Sequence, residues 1–145
     1  MKTMEEWLSE YAESHRNPIN QRIHKICVPL ILWSIVGFFS LLRSPFLDGG
    51  VFASAGVLVS AFALGFYALF GLKPFAQMLV LLGLCLATCA LLESLTNRAW
   101  LVYVTVFVLA WIGQAIGHVY EGKRPSFFSD LQFLLVGPLW ILQRH

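Results

Sequence analysis

The segment AWLVYVTVFVLAWIGQAIGHVYEGKRP, Ala99 to Pro125, decides how the chain is read. From Ala99 to Gly117 it carries no charged side chain. That length is close to the ~20 apolar residues an α-helix needs to cross a hydrocarbon core. Then His118, Glu121, Lys123 and Arg124 arrive in quick succession. Gly122 suits the left-handed position just past a helix end, and Pro125 confirms the stop. A membrane helix is therefore predicted to end in a polar cluster. Glu121 sits in its last turn, where the negative end of the helix dipole disfavours a carboxylate. Something positive is expected to offset it: Arg124, Lys123, Arg22 or a metal ion.

Working outward, three more runs have spanning length: Ile26 to Leu42, Val51 to Leu72 and Phe75 to Leu92. They are separated by RSPFLDGG (43–50), GLKP (71–74) and ESLTNR (93–98), all rich in turn formers. Connections this short make neighbouring helices antiparallel. The whole chain agrees: 58% of its 145 residues are hydrophobic and 12% charged, against about 25% charged in soluble domains. Mean hydropathy is +0.72. A soluble domain of this size has too much surface per volume to hide that apolar content. The fold class expected is an all-α integral membrane protein with four transmembrane helices. It forms a single polytopic membrane domain over 1–145. Residues 1–25 are expected on the cytoplasmic side, 26–117 hold the spans, and 118–145 hold the second polar motif and the C-terminal helix.

The ends are read separately. Met4, Trp7, Leu8 and Tyr11 make one apolar face on a helix whose other faces carry Glu5, Glu6, Glu10 and Glu13. This predicts an N-terminal amphipathic helix, packed on the protein's own helices because an acidic face does not favour anionic lipid. Asn17 and Pro18 are a good N-cap and first residue for a new helix running into the first span. Pro29 lies inside it and is predicted to kink it. The apolar stretch from Phe127 to Leu142 is interrupted by Asp130, Gln132 and Gly137-Pro138, which predicts a C-terminal re-entrant or interfacial helix. Cys27, Cys85 and Cys89 form no disulfide framework and are read as small, reduced packing residues. No cleavable signal peptide is expected, since the first 25 residues are polar. A net charge of +2 without a basic stripe gives no case for nucleic acid.

Charge sets orientation. With four spans and a cytoplasmic N-terminus, Lys2, Arg16, Arg22, Lys25, Lys73, Lys123 and Arg124 fall inside, and Arg43 and Arg98 outside. The positive-inside rule favours that topology, with both termini cytoplasmic. It fits a multi-pass protein of a bacterial inner membrane or the endoplasmic reticulum. An even number of crossings then brings the stretch ESHRNPINQRIHK (13–25) to the same face as His118 and Glu121. Asn20 and His24 share one helix face, as do Gln114, His118 and Glu121. His15 precedes the Asn17-Pro18 restart. Taken singly, interfacial histidines serve as headgroup anchors or caps. Taken together, the three offer a metal site. His145 is terminal and is given no role.

The pattern of His15, Asn17, Pro18, Asn20, His24 and Pro29, followed several spans later by QAIGHVYEGKRP, resembles a small membrane protein family over nearly the whole chain. It is the family of the yeast 2-hydroxy fatty acid dioxygenase of phytosphingosine α-oxidation. The resemblance implies an Fe(2+) enzyme that uses O2 to shorten a 2-hydroxy fatty acid by one carbon. It implies His15, His24 and His118 as iron ligands, with Asn20, Gln114 and Glu121 as the polar groups of the catalytic site. Cys27 departs from the pattern, where glycine is expected. Nitrogen and oxygen ligands with open positions suit non-haem iron. Arg124 or Lys123 is placed to hold the substrate carboxylate. No nucleotide-binding motif is present, in keeping with a substrate that brings its own electrons. Two other readings stay open: a zinc-dependent lipid hydrolase or amidase, since three histidines also describe a catalytic zinc site, and a non-catalytic helical lipid-binding protein.

Overall fold

A computed structural model describes residues 3–13, 15–46, 48–122 and 135–142. Five α-helices follow one another: α1 (Met4–Glu13), α2 (Pro18–Ser40), α3 (Ala55–Ala68), α4 (Leu72–Leu95) and α5 (Ala99–Glu121), with a short 3-10 turn at Gly50–Ala53 before α3. Residues 135–142 are also helical. The described residues contain no strand, only an isolated antiparallel bridge between Arg43 and Ser54.

Local chemistry accounts for the helix starts. Thr3 Oγ1 accepts from Glu6 N at 3.2 Å and Thr3 N donates to Glu6 Oε2 at 2.6 Å, a reciprocal capping box for α1. Asn17 caps α2 as its sequence predicts, its Oδ1 accepting from Ile19 N at 2.8 Å, with Pro18 in the first turn. α2 continues through Pro29 without a break in the helix. α5 ends on Gly122 at φ 70°, the left-handed residue expected there.

α2, α4 and α5 are each long and apolar enough to cross a membrane. α3 is the exception. The expected run Val51 to Leu72 yields a helix of only 14 residues, about 21 Å at 1.5 Å per residue. The cause lies at its ends. Ser44 N donates to Ala53 O at 2.8 Å and Ala55 N to Leu42 O at 2.9 Å, so residues up to Ser54 are spent on the bridge and the 3-10 turn. Gly71, at φ 110°, ends the turn that starts α4. α4 in contrast outruns its expected end at Leu92 and carries Glu93 within its last turns.

The helices run up, down, up and down around α2, which touches α3, α4 and α5. Glu93 marks one end of the bundle. It takes hydrogen bonds from the Ser40 hydroxyl and from Tyr103 OH, the latter at 3.0 Å, and pairs with the Arg43 guanidinium. Tyr67, whose hydroxyl donates to Leu135 O, lies toward the other end. That second end holds the starts of α2 and α4 and the close of α5, and with them Arg16, Arg22, Lys25 and Lys73. Arg43 and Arg98 lie at the first.

The main core joins Leu32 and Val36 of α2, Ala63 and Tyr67 of α3, Met78, Leu82 and Cys85 of α4, and Leu139. Cys89 packs beside it against Val51, Ala99 and Tyr103. All three cysteines are free and buried. α1 lays Tyr11 against Val136 and Trp140. The expected interfacial segment Phe127 to Leu142 is thus described only in its final part, which is buried against α1 and the bundle; Phe127 to Leu134 lie outside the described residues. The outward faces carry large apolar side chains, among them Leu58 (72% exposed), Phe62 (79%) and Leu109 (61%). Hydrocarbon, not water, is the solvent such a continuous face suits.

Candidate metal centre

The bundle end formed by the start of α2 and the close of α5 brings the two polar motifs together. His15, His24 and His118 are 2%, 1% and 4% exposed. Their ring centroids lie 4.4 Å (His15–His24), 5.1 Å (His24–His118) and 5.6 Å (His15–His118) apart. One ligand nitrogen from each falls within 4.8 Å of the other two. Metal–imidazole bonds of ~2.0–2.1 Å require the nitrogens to sit somewhat closer than that limit.

Two of the three tautomers are set by backbone. His15 Nδ1 lies 2.7 Å from Tyr11 O and His24 Nδ1 lies 3.1 Å from Asn20 O. A carbonyl oxygen can only accept, so Nδ1 carries the proton in both rings and Nε2 carries the lone pair. This is how metal-binding histidines are commonly oriented, with one nitrogen fixed by a backbone carbonyl and the other turned to the ion. Tyr11 stacks on His15 at 4.0 Å between centroids and 7° between planes, and Trp140 closes the same side at 5.7 Å from His15. The donor set is therefore three imidazoles in a buried, aromatic-walled site, two of them with Nε2 free to ligate, and the residues present fit a divalent transition-metal ion.

Glu121 lies beside this cluster. Its Oε1 accepts from Arg16 N at 2.8 Å, and its Oε2 from Asn17 N and from Asn20 Nδ2, both at 2.9 Å. The compensation for its place at a helix C-terminus is thus supplied by amide donors at the start of α2, where the dipole is favourable to a carboxylate. Asn17 completes the junction: its Nδ2 donates to Tyr120 O at 2.9 Å while its Oδ1 caps α2. Gln114 is buried one turn before His118 on the α5 face toward α2. Lys123, Arg124 and His145 lie outside the described residues.

The sequence reading passed over three contributors. Gln21 Nε2 donates to His15 O at 2.7 Å. Gly117 lets α2 and α5 approach at the site, since a Cβ there would overlap Asn20 Oδ1 and come within 3.3 Å of the His24 ring. Gly113 does the same one turn earlier, where a Cβ would lie 2.6 Å from Cys27 Sγ. The spacing Gly113-x-x-x-Gly117, a small-residue signature of close helix crossing in membranes, was the available signal. It also accounts for Cys27: α5 supplies the glycine at that contact, so α2 has room for a thiol.

An all-helical apolar bundle with three buried histidines at one end defines a class of small membrane proteins carrying a candidate metal centre. Comparison with known sequences makes the class specific. Residues 1–144 match the family described as Mpo1-like, 2-hydroxy-palmitic acid dioxygenase Mpo1-like, and the chain belongs to that family. It is 33% identical over 138 residues to the 2-hydroxy-palmitic acid dioxygenase MPO1 of Saccharomyces cerevisiae, covering 93% of this chain and 75% of that protein. No solved structure matches the chain.

Proposed function

We propose that this protein is a non-haem Fe(II) dioxygenase of α-oxidation, converting a long-chain 2-hydroxy fatty acid to the fatty acid one carbon shorter. The observation that carries the reading is the meeting of His15, His24 and His118, drawn from motifs about a hundred residues apart, inside a chain related to a protein named as a dioxygenase. The reaction balances as R–CH(OH)–COOH + O2 → R–COOH + CO2 + H2O. The C1–C2 bond breaks, C2 is oxidised to the new carboxyl, and the four electrons that reduce O2 come from the substrate. No 2-oxoglutarate or nicotinamide is required.

Iron bound to the three histidines would supply a chelating centre for the carboxylate and hydroxyl of the substrate and a place for O2. The remaining tasks belong to the chain. Tyr11 and Trp140 keep water from the His15 side. Gln114 and Asn20 offer amide groups to the polar head, and Arg124 or Lys123 holds its carboxylate. The acyl tail stays with the apolar helices, where each buried CH2 contributes roughly 0.8 kcal/mol. In the membrane we place four crossings, α2 to α5, with both termini and the histidine end cytoplasmic, as the distribution of basic residues favours.

The test is product mass and oxygen uptake for detergent-purified protein given a C16 2-hydroxy acid, with chelator treatment and Fe(II) add-back. The C15 acid and stoichiometric O2 are expected. Turnover with zinc alone, or under strict anaerobiosis, would reassign the site to hydrolysis.

A further inference from the structure

We infer that Glu121 is the positioning residue of the histidine centre: one carboxylate fastens all three histidine-bearing segments to one another. The inference rests on reading the three histidines as one ligand set. Its basis is the ownership of the three donors. Arg16 N belongs to the residue after His15, and Asn17 N to the cap of α2. Asn20 Nδ2 belongs to the residue whose carbonyl orients His24. Glu121 itself stands one turn beyond His118 on α5. Each histidine is thus within one residue or one helical turn of a Glu121 contact, and the carboxylate is not among the ligand atoms that cluster.

The residue type matters. A carboxylate offers two acceptor oxygens and no donor, which matches three converging N–H groups. Glutamine keeps the length but turns an NH2 toward those donors. Aspartate keeps the charge but is one methylene short, so α5 must shift toward α2 to restore contact. The neighbouring groups play other parts: Gln21 holds the carbonyl of His15, and Asn17 adds a second tie between α2 and α5 through Tyr120 O, but neither accepts from the amides of Arg16 and Asn17. The position also divides the ordering of this segment: α1 fixes the His15 ring through Tyr11 O and the Tyr11 ring, and Glu121 fixes the chain just after it. His15 lies outside any helix: its own N–H donates to Ala12 O and its carbonyl accepts from Gln21, while the two amides that follow it, of Arg16 and Asn17, are held from the α5 side.

The experiment uses full-length protein in detergent, with Co(II) as the probe metal and hydrogen exchange of the metal-free protein as a second readout. Glu93→Gln is the control, because Glu93 is the corresponding half-buried, hydrogen-bonded carboxylate at the far end of the bundle and touches none of the histidines. Glu121→Gln is expected to weaken Co(II) binding about 10–100-fold, the usual effect of losing a group that orients ligands, to alter the visible spectrum of bound Co(II), and to speed exchange at the amides of Arg16 and Asn17. Glu93→Gln is expected to lower the melting temperature and leave all three unchanged. Should Glu121→Gln fail to fold, Glu121→Asp is measured in its place, with a smaller loss in the same direction. Wild-type Co(II) affinity and spectrum in the Glu121 variant, or a loss matched by Glu93→Gln, would overturn the assignment. If the wild type itself binds no Co(II), the metal reading fails separately. Exchange at Arg16 and Asn17 still decides whether Glu121 holds that segment.

Discussion

Adding one methyl group at Gly117 is the sharpest probe of the centre. A Cβ built there lies under 3.0 Å from Asn20 Oδ1 and 3.3 Å from both Cε1 and Nδ1 of His24. Ordinary carbon contacts are ~3.5–4.0 Å, so α2 and α5 must part by roughly 0.5–1 Å, or Asn20 must turn away. Either response disturbs the Asn20 contact to Glu121 and the carbonyl that orients His24. Overpacking costs typically ~1–3 kcal/mol, while replacing a helical glycine with alanine returns up to about 1 kcal/mol. The net change in stability is therefore small, between about zero and 2 kcal/mol. The change in function is not, because a misplacement of ~1 Å costs on the order of 100-fold in rate. Gly117→Ala is expected to melt near wild type while metal affinity and turnover fall 10-fold or more. Gly65→Ala and Gly83→Ala are the controls: they sit in α3 and α4 with nothing within 4 Å of the added methyl, and wild-type turnover is expected. The assay is chelator competition for Fe(II) or Co(II) alongside steady-state rates and thermal melts. Wild-type metal affinity in Gly117→Ala would refute the claim that this crossing sets the site.

His15→Ala, His24→Ala and His118→Ala are each expected to abolish turnover and lower bound iron, with His145→Ala doing neither; a fully active His24→Ala protein would remove the ligand assignment. Reporter fusions after Lys25, Lys73 and Arg124 are expected to read cytoplasmic, and fusions within 43–50 and at Asn97 external; a split result between Lys25 and Arg124 would contradict the four-crossing topology. Long-chain 2-hydroxy acids are expected to be preferred over lactate by several orders of magnitude in kcat/KM, since each tail methylene adds roughly 0.8 kcal/mol of burial; equal rates with lactate would mean that the tail is not bound by the helices.

The helices and the meeting of the motifs were legible because both depend on features that a sequence states directly. Apolar run length gave α2, α4 and α5, and an even number of runs placed His24 and His118 at one end before any distance was known. The partner of Glu121 was not legible. A sequence shows side-chain charges, so Arg124, Lys123, Arg22 or a metal were the natural candidates; among the described residues the groups that hold it are two backbone amides and a side-chain amide at the start of α2, and Lys123 and Arg124 lie outside those residues. Backbone donors carry no letter of their own. Glu93 was hidden for a related reason: ESLTNR reads as a break, yet Glu93 stays within α4, where Ser40, Arg43 and Tyr103 give its carboxylate partners. The shortness of α3 was equally invisible, because Val51 to Ser54 is apolar enough to span and only the pairing of residues 42–44 with 53–55 withdraws it from the helix.

The two ends of the bundle show why a centre at the α2–α5 junction needs such fastening. At the far end α4 and α5 are joined by a turn of a few residues, and their relative position follows from chain connectivity. At the histidine end α2 begins and α5 finishes, and about a hundred residues of chain separate them. Their alignment there has to come from contacts alone. The close approach at Gly113 and Gly117 sets the separation of the two helices, but sliding along the seam would still carry His118 past His24. The Asn17 and Glu121 hydrogen bonds resist that slide, because they join the first residues of α2 to the last of α5 and have fixed lengths. An axial shift of one residue, about 1.5 Å, would break them and move His118 off the other two rings. Packing and polar contacts therefore control different coordinates of the same site: the glycines set distance, and the Asn17 and Glu121 hydrogen bonds set register. Changes at Gly117 and Glu121 should then combine non-additively in metal affinity, as expected for residues within one network, whereas changes at Glu93 and Glu121 should add.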